Sequence, residues 1–282
     1  MPHFNTLLDA LMMVYLIRTS PRIGLLTPSV RRARRRCHAF FEEVLAEHDP
    51  ERRGGCPNRD LVDDLLEIHR TTPNLMAETD MWFSILNPFI VGMHTVAATV
   101  SYLLYSIVQH PEVLARVQEE ADGLFADGPP TADGVRSMTS TLHATMETMR
   151  LHPVVPGITR AVTNSFDFAG YRIPAGTTLM VATPVTNRLP EYFPDPDRFD
   201  IDRFSPERRR QHARPGVFAP FGLGTHSCLG QGFTQVLIPL VTAALLHRRE
   251  VAMTPAGYRL KSKHYPLPRP DDRFRMRLRD RS

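Results

Sequence analysis

Ten consecutive residues carry most of the chemistry that spacing alone can suggest: Phe221-Gly222-Leu223-Gly224-Thr225-His226-Ser227-Cys228-Leu229-Gly230. A cysteine stands among glycines just ahead of an apolar stretch, Gly230 to Leu246, that reads as a helix. A thiol at a helix N-terminus meets free backbone N–H groups and the positive end of the helix dipole, and both favour the thiolate. Gly222 and Gly224 let the backbone bend and approach a bulky flat ligand, and Gly230 lets the helix lie against it without a Cβ in the way. Two plainer readings use the same residues. One is a buried cysteine in a glycine-rich turn. The other is a zinc pair of His226 and Cys228, for which two further ligands at finger spacing are absent.

Other groups are less specific by themselves. Glu147 and Arg150 lie three apart on one helical face and can pair. So can Glu67 with Arg70 and Glu207 with Arg210, and for an arbitrary pair of this kind a solvated surface contact is the default. His94 and Thr95 fall inside a long apolar run. The Thr95 hydroxyl can bond the Val91 carbonyl and distort a helix, and a histidine can relay protons near neutral pH. The plainer reading of His94 is a core histidine satisfied by backbone.

The pattern Phe-x-x-Gly-x-His-x-Cys-x-Gly resembles the haem-binding loop of the cytochrome P-450 haem-thiolate monooxygenases, of bacterial type. The resemblance implies haem b (iron protoporphyrin IX) with Cys228 as axial iron ligand. It also implies His226 and Arg160 as propionate partners, Phe221 packed beside the sulfur, and Gly222, Gly224 and Gly230 lining the cofactor. Glu147 and Arg150, followed by Leu151-His152-Pro153, match the family's Glu-x-x-Arg, and Arg203 in Phe199-Asp200-Ile201-Asp202-Arg203-Phe204 matches the third member of that network. Ile201 replaces the usual proline there. The network would fix loop geometry under the haem without taking part in chemistry. In the oxygen-activating helix, Val91-Gly92-Met93-His94-Thr95-Val96 keeps Gly92 and Thr95, with His94 in place of the acid and Val96 in place of the second threonine. His94 and Thr95 would assist proton delivery. The sterol 14-demethylase branch also carries His-Thr here and resembles Asn187-Arg188, Pro190 and Phe193-Pro194-Asp195-Pro196, but matches this short assign no sterol substrate.

The elements that must position these residues are mostly helical up to residue 165. Helices are expected at Leu7–Ile17, Ser29–Glu47, Asp60–His69, Met81–Val108, Pro111–Ala126 and Met138–Leu151, with a Gly/Pro/Asn loop at Gly54–Asn58. A small antiparallel sheet follows, from Phe166–Phe168, Tyr171–Ile173 and Thr177–Ala182. Pro190–Pro220 is a long loop with six prolines, a length usually tied to function. The fold class is therefore mainly α with a small antiparallel β region. By resemblance it is the P-450 fold without its N-terminal part: one partial domain over 1–282, entering near the F–G region and lacking the front strands, B–C loop and C helix.

Bulk properties exclude several classes. A chain of 282 residues, 42% hydrophobic and 23% charged, is not disordered. A net charge of +4 does not call for nucleic acid without a concentrated patch. Three cysteines (Cys37, Cys56, Cys228) without a CxxC indicate no disulfide framework or zinc ribbon. No signal peptide is evident. Met81–Val108 holds 28 residues without Asp, Glu, Lys or Arg, but its polar residues favour a buried central helix over a membrane span. The resemblance implies a cytoplasmic monooxygenase placing one oxygen atom from O2 into a small apolar substrate, with electrons from a ferredoxin, its reductase or another donor docking at the Cys228 face. The rival is a truncated haem-binding chain without competent monooxygenation, or with peroxide- or rearrangement-type chemistry. A different class, a basic interaction module using Arg31–Arg36 or the C-terminal arginines, competes with a solvated helix face, which is preferred.

Overall fold

The computed structural model describes residues 6, 7, 9, 10, 27–49, 59–209, 213–265 and 267–281. Cys56, the loop Gly54–Asn58 and most of the helix expected at Leu7–Ile17 lie outside the described residues. The chain divides into two compact units, residues 1–94 and 95–282.

In the first unit, α1 (Pro28–Glu47) opens with proline at its first position and buries Ala33, Cys37 and Phe41. Arg31, Arg32, Arg34, Arg35 and Arg36 occupy its exposed remainder. The α2 helix (Leu61–Thr71) starts with a capping box: Asp60 accepts from the Val62 and Asp63 amides, and Asp63 accepts from the Asp60 amide. The α3 helix (Glu78–Asn87) adds Met81, Ile85 and Leu86 to the Cys37, Phe41 and Leu65 core. Burial pushes the Cys37 thiol up, away from reactivity.

Where one helix is expected over Met81–Val108, the structure has α3, a π-helical turn Pro88–Gly92, and α4 (Met93–Val108). Pro88 has no N–H to donate to the preceding turn, and a widened turn absorbs that loss. No helix among the described residues is long and apolar enough to cross a membrane.

In the second unit, α5 (Pro111–Phe125), the short α6 (Ala132–Arg136) and α7 (Thr139–Leu151) are followed by four two-stranded antiparallel ladders among the described residues. Strand β1 (Ile158–Ala161) pairs with β4 (Thr178–Val181), Arg160 lying opposite Leu179. Strands β2 (Phe166–Phe168) and β3 (Tyr171–Ile173) form their own hairpin, turned by Ala169 and Gly170 at φ 48° and 82°. The sequence suggests a sheet of that hairpin plus Thr177–Ala182; instead the third strand finds β1. Helix α8 (Gln231–Arg248) leads into β5 (Arg249–Met253), which pairs with β8 (Met276–Asp280); β6 (Ser262–Lys263) pairs with β7 (Arg269–Pro270). The core joins Leu103 and Ile107 of α4, Val113 and Val117 of α5, Ala144 of α7 and Ile238 and Leu246 of α8. Arg281 closes the tail with a two-nitrogen grip on Asp122 of α5, so this end of the chain is folded in.

His152 caps the end of α7 and stacks on Tyr102, ring centroids 4.9 Å apart. Burial, with Arg188 and Arg150 nearby, lowers its pKa to about 4. The unfolded imidazole keeps its ordinary value of 6.5, so the unfolded state binds the proton more readily. Stability is therefore complete above pH 6.5 and falls between pH 6.5 and 4 by about 3 kcal/mol. Urea midpoints measured across that window decline in the wild type, and His152→Phe, which keeps the stack, flattens the profile.

Candidate functional site

The loop before α8 is closed by backbone hydrogen bonds around two left-handed glycines. Gly222 and Gly224 adopt φ of 75° and 74°, in the left-handed region where a Cβ is strained. The Gly222 amide donates to Ala219 O (3.1 Å), the Ser227 amide to Gly224 O (3.1 Å) and the Cys228 amide to Phe221 O (2.8 Å). Gly224–His226 form one 3-10 turn between them. The chain is thereby folded back so that Cys228 emerges immediately before the helix, with Gly230 as cap residue.

Cys228 is exposed and forms no disulfide. Around it in sequence, Leu229 and Phe233 are 103% and 69% exposed, and Leu223 is also exposed. Phe221 is half-buried. The thiol and these apolar side chains are thus all open to solvent around the start of α8. Gly230 keeps the space beside the sulfur clear: a Cβ there would stand 3.7 Å from Cys228 Sγ.

His226 is exposed at the end of the 3-10 turn. Arg160 is half-buried on β1; its guanidinium donates to Thr159 O at 2.8 Å, and no carboxylate among the described residues pairs with it. No hydrogen bond among the described residues links Arg160 or His226 to Cys228. His94 and Thr95 are half-buried near the start of α4, directly after the π-helical turn. The Thr95 carbonyl accepts the Thr99 hydroxyl at 2.8 Å.

Glu147, Arg150 and Arg203 are brought together, at 0%, 0% and 3% exposure. Arg150 holds Glu147 with two nitrogens, at 2.7 and 2.8 Å. Its remaining donors reach the carbonyls of Asn187 (2.8 Å), Pro196 (2.6 Å) and Arg198 (3.1 Å). Arg203 donates to Glu147 at 3.3 Å and to Asp195 O at 2.6 Å, and the Asp200 amide donates to Glu147 at 2.9 Å. Asp195 sits at φ 49°, an uncommon conformation for a side-chain-bearing residue. The Arg150 guanidinium lies 5.1 Å over the ring of buried Phe193. Every element of the cluster thus pins the long loop to α7. The other Glu-x-x-Arg candidates differ. Glu67 pairs with Arg59 across 2.5 Å on the surface, and Arg210 lies outside the described residues.

Sequence reasoning named the three charges but not the carbonyls that satisfy them. The cues were Asn187, which supplies one of those carbonyls, and the segment Phe193–Pro196, which supplies the ring beneath Arg150 and two more.

Comparison with known proteins bears on the family and the fold. The family model described as cytochrome P450 matches residues 3–275. The sterol 14alpha-demethylase of Mycolicibacterium vanbaalenii is 34% identical over 235 residues, 79% of this chain and 51% of that protein. The pentalenene oxygenase of Streptomyces avermitilis is 30% identical over 255 residues, 89% of this chain and 56% of that protein. Among solved structures, the heme domain of cytochrome P450DA superposes with a TM-score of 0.83 at 26% identity, covering 100% of this chain and 61% of its own. The chain spans about half the length of the curated relatives it matches.

Two substitutions separate the buried cluster from the surface pair. Glu147→Ala leaves two guanidinium groups buried without their anion and lowers stability by about 3–5 kcal/mol. Glu67→Ala changes it by about 0.5 kcal/mol or less. Equilibrium denaturation of both variants checks the contrast.

Proposed function

The chain belongs to the cytochrome P450 family, and from that premise we propose that it is a haem-thiolate monooxygenase that places one oxygen atom from O2 into a small apolar substrate. The cofactor of the family is haem b (iron protoporphyrin IX). The observation that carries the reading is the exposed Cys228 thiol, free of a disulfide, at the tip of a bend that two left-handed glycines create.

The residues present fit the cofactor. A soft sulfur donor suits iron. The cleared space at Gly230 and the apolar surface of Leu223, Leu229 and Phe233 suit a flat hydrophobic macrocycle. Bound there, the haem supplies the reductive activation of O2.

The chain's own residues would divide the remaining work. Cys228 would hold the cofactor through Sγ, and Phe221 would shield that sulfur from water. His226 and Arg160 would bind the propionates; Arg160 has no competing carboxylate among the described residues. Thr95 Oγ1 and the His94 imidazole pass protons toward the oxygen site. Glu147, Arg150 and Arg203 take no part in chemistry and hold the loop's path, as their buried hydrogen bonds to loop carbonyls support. A ferredoxin, its reductase or another donor would deliver electrons at the Cys228 face, and the protein would work in the cytoplasm. We read residues 1–282 as one partial domain of this fold.

A second reading follows from His94. With an imidazole where the family pattern carries an acid, proton supply differs, and the chain would bind haem while running peroxide- or rearrangement-type chemistry.

The test is a reduced-CO difference spectrum of the chain supplied with haemin. The expected result is absorbance at the thiolate–CO position, lost in Cys228→Ser; a colourless wild type, or a spectrum indifferent to the substitution, overturns the assignment. Hydroxylation driven by a reductase, against turnover with peroxide only, separates the two readings.

A further inference from the structure

Near the carboxyl end every second residue is an arginine: Arg273, Arg275, Arg277, Arg279 and Arg281. In a strand that period is decisive, because successive side chains point to opposite faces. The register of β5 with β8 sets Arg277 opposite Ala252 and Arg279 opposite Glu250, on the face turned away from buried Val251 and Met253. The Thr254 amide donates to Arg275 O at 3.0 Å, which extends the row by one arginine. At the other end the Arg281 amide donates to Arg248 O at 3.1 Å, so Arg248, the last residue of α8, stands beside the row. Arg248, Arg275, Arg277 and Arg279 are all exposed. The cations around them are paired: Arg273 with Asp271, Arg249 with Asp280, Lys263 and Arg269 with Asp272, and Arg281 with Asp122. The four are not. Arg275 reaches the carbonyls of Asp272 and Phe274, and among the described residues no carboxylate bridges any of them. Glu250 is a single carboxylate set against four guanidinium groups. A chain with a net charge of +4 thus gathers four unneutralised cations at one place, about 6.8 Å apart along β8.

We propose that the outer face of the β5–β8 ribbon docks on a membrane surface through its anionic phospholipid headgroups. Guanidinium forks match phosphate oxygens two at a time, and long stems let them reach a target that is not itself ordered. A cluster of four is enough to hold a protein against a surface of fixed negative charge at moderate salt. The chain lies on the bilayer, since no helix among the described residues is long and apolar enough to enter it. A bilayer is chosen over other polyanions because the substrate proposed above is apolar and concentrates in lipid, and that choice rests on the proposed function. The placement is compatible with it. Helix α8 has 18 residues, about 27 Å of length; Arg248 ends it, and Cys228 stands ahead of its other end. Docking at the arginines leaves the Cys228 face open to an electron donor.

The experiment sediments the full chain with vesicles of equal parts phosphatidylglycerol and phosphatidylcholine, and with vesicles of phosphatidylcholine alone. The wild type goes down with the first, is released as salt is added, and stays in solution with the second. Each arginine beside an anionic surface contributes about fivefold to partitioning, so Arg277→Gln/Arg279→Gln lowers it roughly twenty-five-fold. Arg277→Lys/Arg279→Lys keeps the charge and keeps the partitioning, which separates lost charge from a disturbed ribbon. Arg32→Gln/Arg35→Gln takes the same charge from exposed positions of α1 and leaves partitioning unchanged. No sedimentation with the mixed vesicles, equal binding to the neutral ones, or equal losses in the two glutamine pairs overturns the inference. So does tighter binding of duplex DNA than of vesicles at equal phosphate. Sedimentation needs no cofactor: a missing thiolate–CO band leaves a positive result standing, and a failed sedimentation leaves the haem assignment standing.

Discussion

A carboxylate shut away from water must be met by cations and donors, or it will not stay ionised. Glu147 meets that demand with Arg150, Arg203 and the Asp200 amide, and the arrangement of the second unit's loop follows from it. The two guanidinium groups together offer more N–H donors than one carboxylate can absorb. The surplus is satisfied by carbonyls of Asn187, Asp195, Pro196 and Arg198. A segment with many prolines, few backbone donors and little regular structure is thereby held along a single path. The same cluster explains why Asp195 tolerates a left-handed backbone: its carbonyl is claimed by Arg203.

The features readable from sequence are those with short-range causes. Pro28 and Pro111 mark helix starts because a missing N–H is harmless there. Asp60 with Asp63 marks another, because their side chains satisfy the first free amides. Ala169-Gly170 marks a hairpin, and Gly222 and Gly224 mark a bend, because few other residues accept the required φ. The spacing from Phe221 to Gly230 encodes the loop for the same reason: its closing bond, Cys228 to Phe221, spans seven residues and depends on nothing outside them.

What could not be read depends on partners far along the chain. Thr178–Val181 has equal local claim to the neighbouring hairpin and to β1, and its pairing is decided by where the chain returns. The carbonyls beneath Arg150 lie 37 to 48 residues away, and nothing in their side chains announces the role of their backbone. The π-helical turn at Pro88–Gly92 is intermediate. Proline signals a defect, but whether a kink, a break or a widened turn results is settled by packing around it.

One helix serves two masters. The amino end of α8 carries the bend that presents the sulfur, while Ile238, Thr242, Ala243 and Leu246 further along it are interior packing. A ligand bound at the amino end, as proposed for the cofactor, would meet the same rigid helix that the interior packing grips. Binding that prefers the folded chain would then stabilise that packing by mass action.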